Sequence, residues 1–393
     1  EGRNLFMTFI KRTLAVILTV VSIQIDAGSS LTSVVDFYGH PLILTYDQQL
    51  SQIKFYKYDQ REIERQLSHH RNSALKNAAY GVLRHAENYG LDDAAITLLV
   101  DKYAENVAKE KNSNKQVFIK YLMLKELEYD VLLTKTGNTL NCMGHLAFTP
   151  GRYIFIQYNN KSYKDLNFKN RKNKGKHTIY GDSKQTNKRI GHNVKETPSI
   201  NAKKRSKIVN FSFGVEKHKL TAESNQSVVE FLADLPMYEV GKEFTSLHMS
   251  NEMEATVVEY LRAQVADRET VDQVRFLLAF VQQVVPYGSD YAKYGEERFY
   301  YPEETIMAST ADCEDKAMLL AYLTKEILGF KSVGLFFKKD EHLSLGIEIP
   351  GYEPTGSFGY NGKRYVSCEP TAKYPRLTQS QFNLKRVDQV IEL

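Results

Sequence analysis

From residue 59 to 127 apolar side chains recur at helical spacing, as at Ala94, Leu98 and Ala104, with helices predicted over 77–89 and 91–109 and a break at Gly90. At Tyr129 the period shortens, and strands are predicted over 131–133, 140–148, 152–158 and 162–168. Residues 31–55 read as mixed short elements around Pro41. Beyond residue 207 come a strand (207–215), a short helix (227–235) and two longer helices (251–266 and 270–285), the second stopped by Pro286. A further helix starts at Cys313 and ends at Gly329, and strands follow over 332–338, 342–349 and 365–369. Helices followed by short, near-consecutive strands indicate an α+β fold in which the Cys313 helix packs on an antiparallel sheet.

This order of helix then strands occurs twice. Shifted by 201 residues, Lys115 falls on Lys316, and Tyr121-Leu122 falls on Tyr322-Leu323. With one residue of slip, Tyr158-Asn159-Asn160-Lys161-Ser162-Tyr163 falls on Tyr360-Asn361-Gly362-Lys363-Arg364-Tyr365. The near-constant offset suggests an internal duplication. It aligns Cys313 with Asn112, His342 with Asn141, and Glu369 with Asn167 or Phe168, so the first copy is expected to be degenerate.

Length and charge refine the organisation. At 393 residues the chain accommodates more than one core, and 25 Tyr with 20 Phe compensate for the absence of Trp. Lys11 and Arg12 precede thirteen uncharged residues, 13–25, with Ala27 and Gly28 beyond. That run is short for a membrane span and suits an export signal over 1–28, with a retained anchor as the alternative. Between Lys169 and Lys207, thirteen Lys or Arg face only Asp182 and Glu196, a net +11 that leaves about −6 on the rest of a chain of total charge +5. With few apolar residues, 169–206 reads as a solvated basic linker. Peripheral contact with an anionic envelope surface is the softer alternative, and sparse aromatics argue against nucleic acid as a partner. The expected domains are therefore 29–168, helical then stranded, and 207–393.

Candidate chemistry centres on Asp312-Cys313-Glu314-Asp315-Lys316. Acidic residues suit the first turn of a helix, and a thiol there feels the positive end of the helix dipole, which lowers its pKa. The competing reading is a buried structural cysteine. Cys142, Cys313 and Cys368 are an odd number and too few for a disulfide framework, so at least one thiol stays free within a single chain. Alternation along 342–349 puts His342, Ser344, Gly346 and Glu348 on one face, where small residues would admit a helix end. Alternation along 365–369 puts Glu369 on the face opposite Cys368. Helix-start Cys, strand His, strand acid is the chain order of a thiol triad: His342 takes the thiol proton and Glu369 orients the imidazole. Gln282 and the Cys313 backbone N–H are candidate oxyanion donors.

These residues resemble the transglutaminase-like superfamily, a branch of the papain-like cysteine enzymes that includes bacterial exported members. The likeness rests on Phe280-Val281-Gln282 with Pro286-Tyr287, on Pro302-Glu303-Glu304-Thr305, on the Asp312–Lys316 segment, on His342, and on Cys368-Glu369-Pro370-Thr371. It covers about a quarter of the chain, roughly 271–376. It implies a helix-plus-antiparallel-sheet fold and a triad of Cys313, His342 and Glu369. The third position is usually Asp in that family, and here it is Glu369.

The function expected is an exported thiol-dependent hydrolase of peptide or isopeptide amide bonds working through a thioester, with a protein or peptide as substrate. Acyl transfer to an amine (cross-linking) and a non-catalytic binding or scaffold module are the alternatives. No cofactor and no metal are expected, because the ten histidines show no zinc spacing, with His69-His70 and His85 read as helix-surface residues, and no acidic loop has calcium spacing. Oligomeric state is not legible.

Overall fold

The computed structural model describes residues 30–111, 113–148, 154–167, 175–181, 184, 186–193, 198, 200, 203–236, 241–294, 298–378 and 383–393. The expected export segment, 1–28, lies outside them, as do Asn112, Arg152 and Phe168. The mixed elements expected around Pro41 are a single hairpin, β1 (Ser30–Phe37) and β2 (His40–Asp47). Its two-residue turn, Tyr38-Gly39, takes φ of 53° and 83°, the geometry whose twist matches paired strands. Val35, Phe37, Leu42 and Leu44 fill the buried face, while Val34 and Ile43, paired across the strands, are exposed.

After a single helical turn at Gln48–Ser51, four longer helices follow: α1 (Gln60–His70), α2 (Ser73–Asn88), α3 (Asp93–Ala108) and α4 (Asn114–Glu126). Each begins behind a side chain that accepts a first-turn N–H: Asp59 from Glu62, Asn72 from Leu75, Asp92 from Ala95 and Ser113 from Gln116. The helices α2 and α3 are the two expected on either side of Gly90. Helix α3 lies on β1, and α2 lies on β2.

The first large sheet contains β3 (Val131–Thr136), β4 (Thr139–His145), β5 (Phe155–Tyr158), β6 (Lys161–Asp165) and β7 (Thr178–Tyr180), in the order β5-β6-β4-β3-β7. Strand β7 falls inside 169–206, expected as a solvated linker. Its residues pair with β3, and Lys188 and Ile190 form bridges with Tyr129 and Leu146. Tyr180, Ile190 and Ile200 are buried, so a few well-placed apolar residues in a lysine-rich stretch dock it. Averaged composition concealed them.

The second half runs through the same sequence of parts. A long hairpin, β8 (Lys204–Phe213) and β9 (Glu216–Asn225), precedes α5 (Gln226–Asp234) and α6 (Lys242–Ser246). Next come α7 (251–265), interrupted by a π turn at Glu254–Val258, and α8 (Thr270–Val284). Two short helices, α9 (Asp290–Tyr294) and α10 (Pro302–Met307), lead to α11 (Cys313–Leu328), which stops at Gly329 with φ 71°. The final sheet joins β10 (Ser332–Phe337), β11 (His342–Ile347), β12 (Phe358–Tyr360), β13 (Lys363–Cys368) and β14 (Gln389–Glu392), ordered β12-β13-β11-β10-β14. Substituting β3 for β10, β4 for β11 and so on reproduces the first sheet's order. All the strand pairs in both sheets are antiparallel. The turns Asn159-Asn160 and Asn361-Gly362 both carry positive φ at each position, so the most similar stretch of the two halves is one hairpin used twice.

The core is shared between the halves. Phe231 on α5 meets the rings of Phe37 and Tyr38 edge-on, and the Tyr38 hydroxyl donates to Asp234 Oδ2 at 2.9 Å. One buried apolar cluster runs from the first hairpin and α2–α4 through α5 and α6 to Tyr301, Cys313, Met318 and Leu343. A second cluster joins α7, α8, α11 and the inner face of the final sheet. Among the described residues, no helix is long and apolar enough to cross a membrane.

Candidate active site

Helix α11 opens at Asp312, whose Oδ1 accepts the Asp315 N–H and so caps the first turn. Cys313 is therefore the first helical residue, as expected, and it is 4% exposed. Pro286 to Gly288 run beside Ala311 as a two-bond bridge, with the Gly288 N–H donating to the Ala311 carbonyl and the Ala311 N–H to that of Pro286. Lys316, one turn into the helix, is buried and donates to the carbonyls of Val281, Gln282 and Val285 at 3.1, 3.2 and 2.7 Å. It satisfies the C-terminal carbonyls of α8 and locks that helix to α11. Burial, with the Lys207 charge adding to it, draws the Lys316 pKa down to about 8, against the pull of Asp315.

The sheet positions the other two residues. In the ladder between β11 and β13, Leu345 faces Cys368. One step further sets Glu369 across from Ser344, on the diagonal to His342. A diagonal of that kind spans about 7–8 Å between backbones, which suits the longer Glu side chain. His342 Nε2 lies 3.0 Å from Glu369 Oε2, and both residues are buried. The other oxygen, Oε1, accepts the Thr371 hydroxyl at 2.6 Å and the Thr371 N–H at 3.2 Å. Burial alone would raise the Glu369 pKa; the bond and charge of His342, with Thr371, outweigh it and hold the carboxyl below its usual value. The imidazole is thus held through Nε2 by Glu369.

Three expectations are corrected here. Helix α11 does not approach over Ser344 and Gly346: the space beside Gly346 is filled by Tyr365 and Val333, and the helix packs on the leucine face, Leu343 and Leu345. Gln282 is not an oxyanion donor in this geometry, because Nε2 donates to the carbonyls of Glu369 and Tyr374 at 2.9 and 3.1 Å. Its role is to hold the Glu369 loop onto α8. The thiol of Cys313, expected to be acidified by the helix dipole, donates instead to Glu314 Oε2 at 2.8 Å. Burial and that carboxylate push its pKa up, and the backbone N–H of Leu343, next to His342, opposes the rise.

Acidic groups crowd the thiol. Asp290, Asp312 and Asp315 are all buried, with one carboxylate oxygen from each within 4.8 Å of the others. Asp315 Oδ1 accepts the Tyr300 N–H at 2.7 Å, and its Oδ2 is buried with no hydrogen-bond partner among the described residues. Burial raises all three carboxyls: Asp290 to about 6 with Glu314 adding to it against Arg298 and Lys293, and Asp312 to about 10 and Asp315 upward with repulsion from neighbouring carboxylates. Oxygen donors at this spacing are the set that could hold a hard divalent cation. Glu303 and Glu304, singled out in the sequence, are tethers: Glu303 binds Ser224 and Ser250, and Glu304 binds the Tyr301 N–H and Arg298. Asp290, Glu314 and Asp315 were not foreseen as site residues. The sequence signal for Glu314 and Asp315 was the acidic first turn, which helix capping explains equally well, and Asp290 lies on a different element.

The structure thus brings His342 and Glu369 into direct contact and sets Cys313 against the strand that starts at His342. Comparisons with protein-family models, curated proteins and solved structures find no match to this chain.

Proposed function

We propose that this chain is an exported thiol-dependent amide-bond hydrolase of the transglutaminase-like type, acting on a protein or peptide. In this reading the chain is a tandem of one fold whose first copy has lost the chemistry. The observation that carries it is the pairing of buried His342 with buried Glu369, itself held by Thr371, on the strand whose next residue, Leu343, turns its backbone N–H to the helix-start thiol of Cys313. The identical strand order of the two sheets supports the tandem. Matching the helix starts pairs Cys313 with Asn114 rather than Asn112. Matching the ladder glycines, Gly346 opposite Val333 and Gly144 opposite Val131, pairs His342 with Leu140 rather than Asn141. Neither counterpart can act as nucleophile or base.

In this reading Cys313 Sγ attacks the amide carbonyl carbon while its proton passes to the imidazole of His342. Glu369 holds Nε2–H and stabilises the imidazolium. The first-turn N–H of Cys313 has no acceptor within its helix and faces the developing oxyanion. As the C–N bond breaks, His342 returns the proton to the departing amine and a thioester remains. Water, deprotonated by His342, then releases the acid and restores the thiol.

The raised thiol pKa favours the non-catalytic reading, so the test must discriminate. The wild-type protein and the Cys313→Ser and His342→Ala variants are incubated with a glutamine-containing peptide and a primary amine, and the products are weighed. Free acid that depends on Cys313 and His342 is expected. Amine adduct without free acid would turn the assignment to acyl transfer, and no product that depends on Cys313 would leave a binding module.

A further inference from the structure

We propose that a cleft at the junction of the two halves, built without Cys313, His342 or Glu369, binds a small zwitterion of the amino-acid kind. The cleft encloses about 320 Å3, at the lower end of the range for small-molecule sites.

Both halves contribute to it. The first hairpin brings Asp36, Tyr38 and Gly39, and α3 brings Lys102. The second half brings Lys203, just ahead of β8, and one face of α5. Ser227, Glu230 and Asp234 follow one another at intervals of three and four residues, so they stand in a row along that face. Tyr38 lies between the two walls. Its ring packs on Phe37 and Phe231, Lys102 Nζ sits 5.2 Å from the ring centre, and its hydroxyl donates to Asp234 Oδ2 at 2.9 Å. Tyr38 also holds φ 53°, at a turn position that favours Asn or Gly. A bulky residue kept in that conformation is strained, and strain of this kind gathers at ligand sites.

Charge makes the cleft selective. Asp36 and Glu230 line the same space as Lys102 and Lys203, yet among the described residues neither lysine forms an ion pair with any carboxylate. The backbones presenting these charges are tied down. Asn106, one turn beyond Lys102, donates to the Val34 carbonyl of β1, and the Lys203 carbonyl accepts the Gln226 N–H at the start of α5. Glu230 is steadied by the Gln226 amide at 3.1 Å, and Asp234 is engaged by Tyr38. Fixed charges of both signs that do not neutralise each other complement a ligand that carries both. Its carboxylate meets Lys102 and Lys203, and its ammonium meets Asp36 and Glu230. A simple anion is repelled by the two acids and a simple cation by the two lysines, so each loses what the zwitterion gains.

The experiment titrates the full chain with L-serine, ethanolamine and hydroxypropanoate. The three share one skeleton, carry both charges, only the positive or only the negative, and contain no amide bond to cleave. Ligand-observed NMR gives the dissociation constants. Serine is expected to bind about tenfold or more tighter than either single-charge analogue at low salt. Replacing both lysines (Lys102→Gln with Lys203→Gln) should bring serine level with ethanolamine. Replacing both acids (Asp36→Asn with Glu230→Gln) should bring it level with hydroxypropanoate. These four side chains are exposed or half-exposed, and circular dichroism confirms that the variants fold. No binding of serine, equal binding of the three probes in wild type, or a preference unchanged in both double variants overturns the proposal. Tighter binding of ethanolamine than of serine would make the cleft a cation site and remove the zwitterion assignment. Cys313→Ser and His342→Ala should bind serine as the wild type does. A loss of binding in either would move the serine to the candidate active site and overturn the proposal, whereas failure of the catalytic reading leaves it untouched.

Discussion

Glu369 is the residue whose identity and environment agree most closely. Its two oxygens are divided between His342 and Thr371, so Glu369→Gln keeps the shape but removes the charge that stabilises an imidazolium. Turnover is expected to fall by about a hundredfold or more with KM little changed, as steady-state kinetics would read. The buried carboxyls have opposite pH signatures. Glu369 is depressed, so its contribution is present above an unfolded value near 4.3 and is lost as pH falls through the folded one. Asp290 and Asp312 are raised to about 6 and about 10, so the stability they confer when protonated drains away as pH rises from about 4 through those values. Asp312→Asn should therefore raise Tm more at pH 8 than at pH 5, and an equal shift at both would contradict the assignment. The helix-start position of Cys313 and the shared face of His342 and Glu369 were legible because capping and strand alternation are local patterns. The roles of Glu314, Asp290 and Gln282 were not, because they depend on which segment folds back onto which.

At the scale of elements, the site is built where the end of α8, the start of α11 and the 286–290 segment converge. Gly288 is required there, since a Cβ would lie 2.6 Å from Thr310 Cβ, an atom with no freedom to swing aside. Gly288→Ala should cost about 1–3 kcal/mol in denaturant unfolding and lower kcat by shifting the first turn of α11. Lys316→Met should cost about 1–3 kcal/mol for each α8 carbonyl left without a donor or water. A loss below 0.5 kcal/mol (about the noise of surface substitutions) would show that water replaces the amine. Helices α2, α3, α8 and α11 and most strands were readable from periodicity. The closing strands β7 and β14 and the helix α10 behind Pro302 were not, because short elements carry too few residues to show a period, and the ten-residue β9 was not because Leu220 and Ala222 are its only apolar positions.

At the scale of the whole molecule, the sequence offset hinted at a repeated order of parts, and the structure shows two sheets of the same strand order. The expected boundary at 169–206 concealed how closely the halves are joined. Phe231 stacks edge-on against two rings of the opposite half within a cluster that reaches Cys313 and Leu343. Calorimetry should accordingly show one cooperative transition, and Phe231→Ala should lower the stability of the entire chain by about 3–5 kcal/mol. Two separated transitions, with only one moved by the substitution, would mean that the halves unfold independently.

Strand β14 lies beside β10, so the first and last strands of the second sheet are neighbours. During synthesis the ribosome therefore releases Cys313, His342 and Glu369 before the strand that closes their sheet exists. The first sheet, closed by Thr178–Tyr180, can be complete roughly 200 residues earlier, which is on the order of 10–40 s of elongation. The first half can then stand as a finished surface on which α5 docks while the second is still being made, and the surroundings of Cys313 are shaped last.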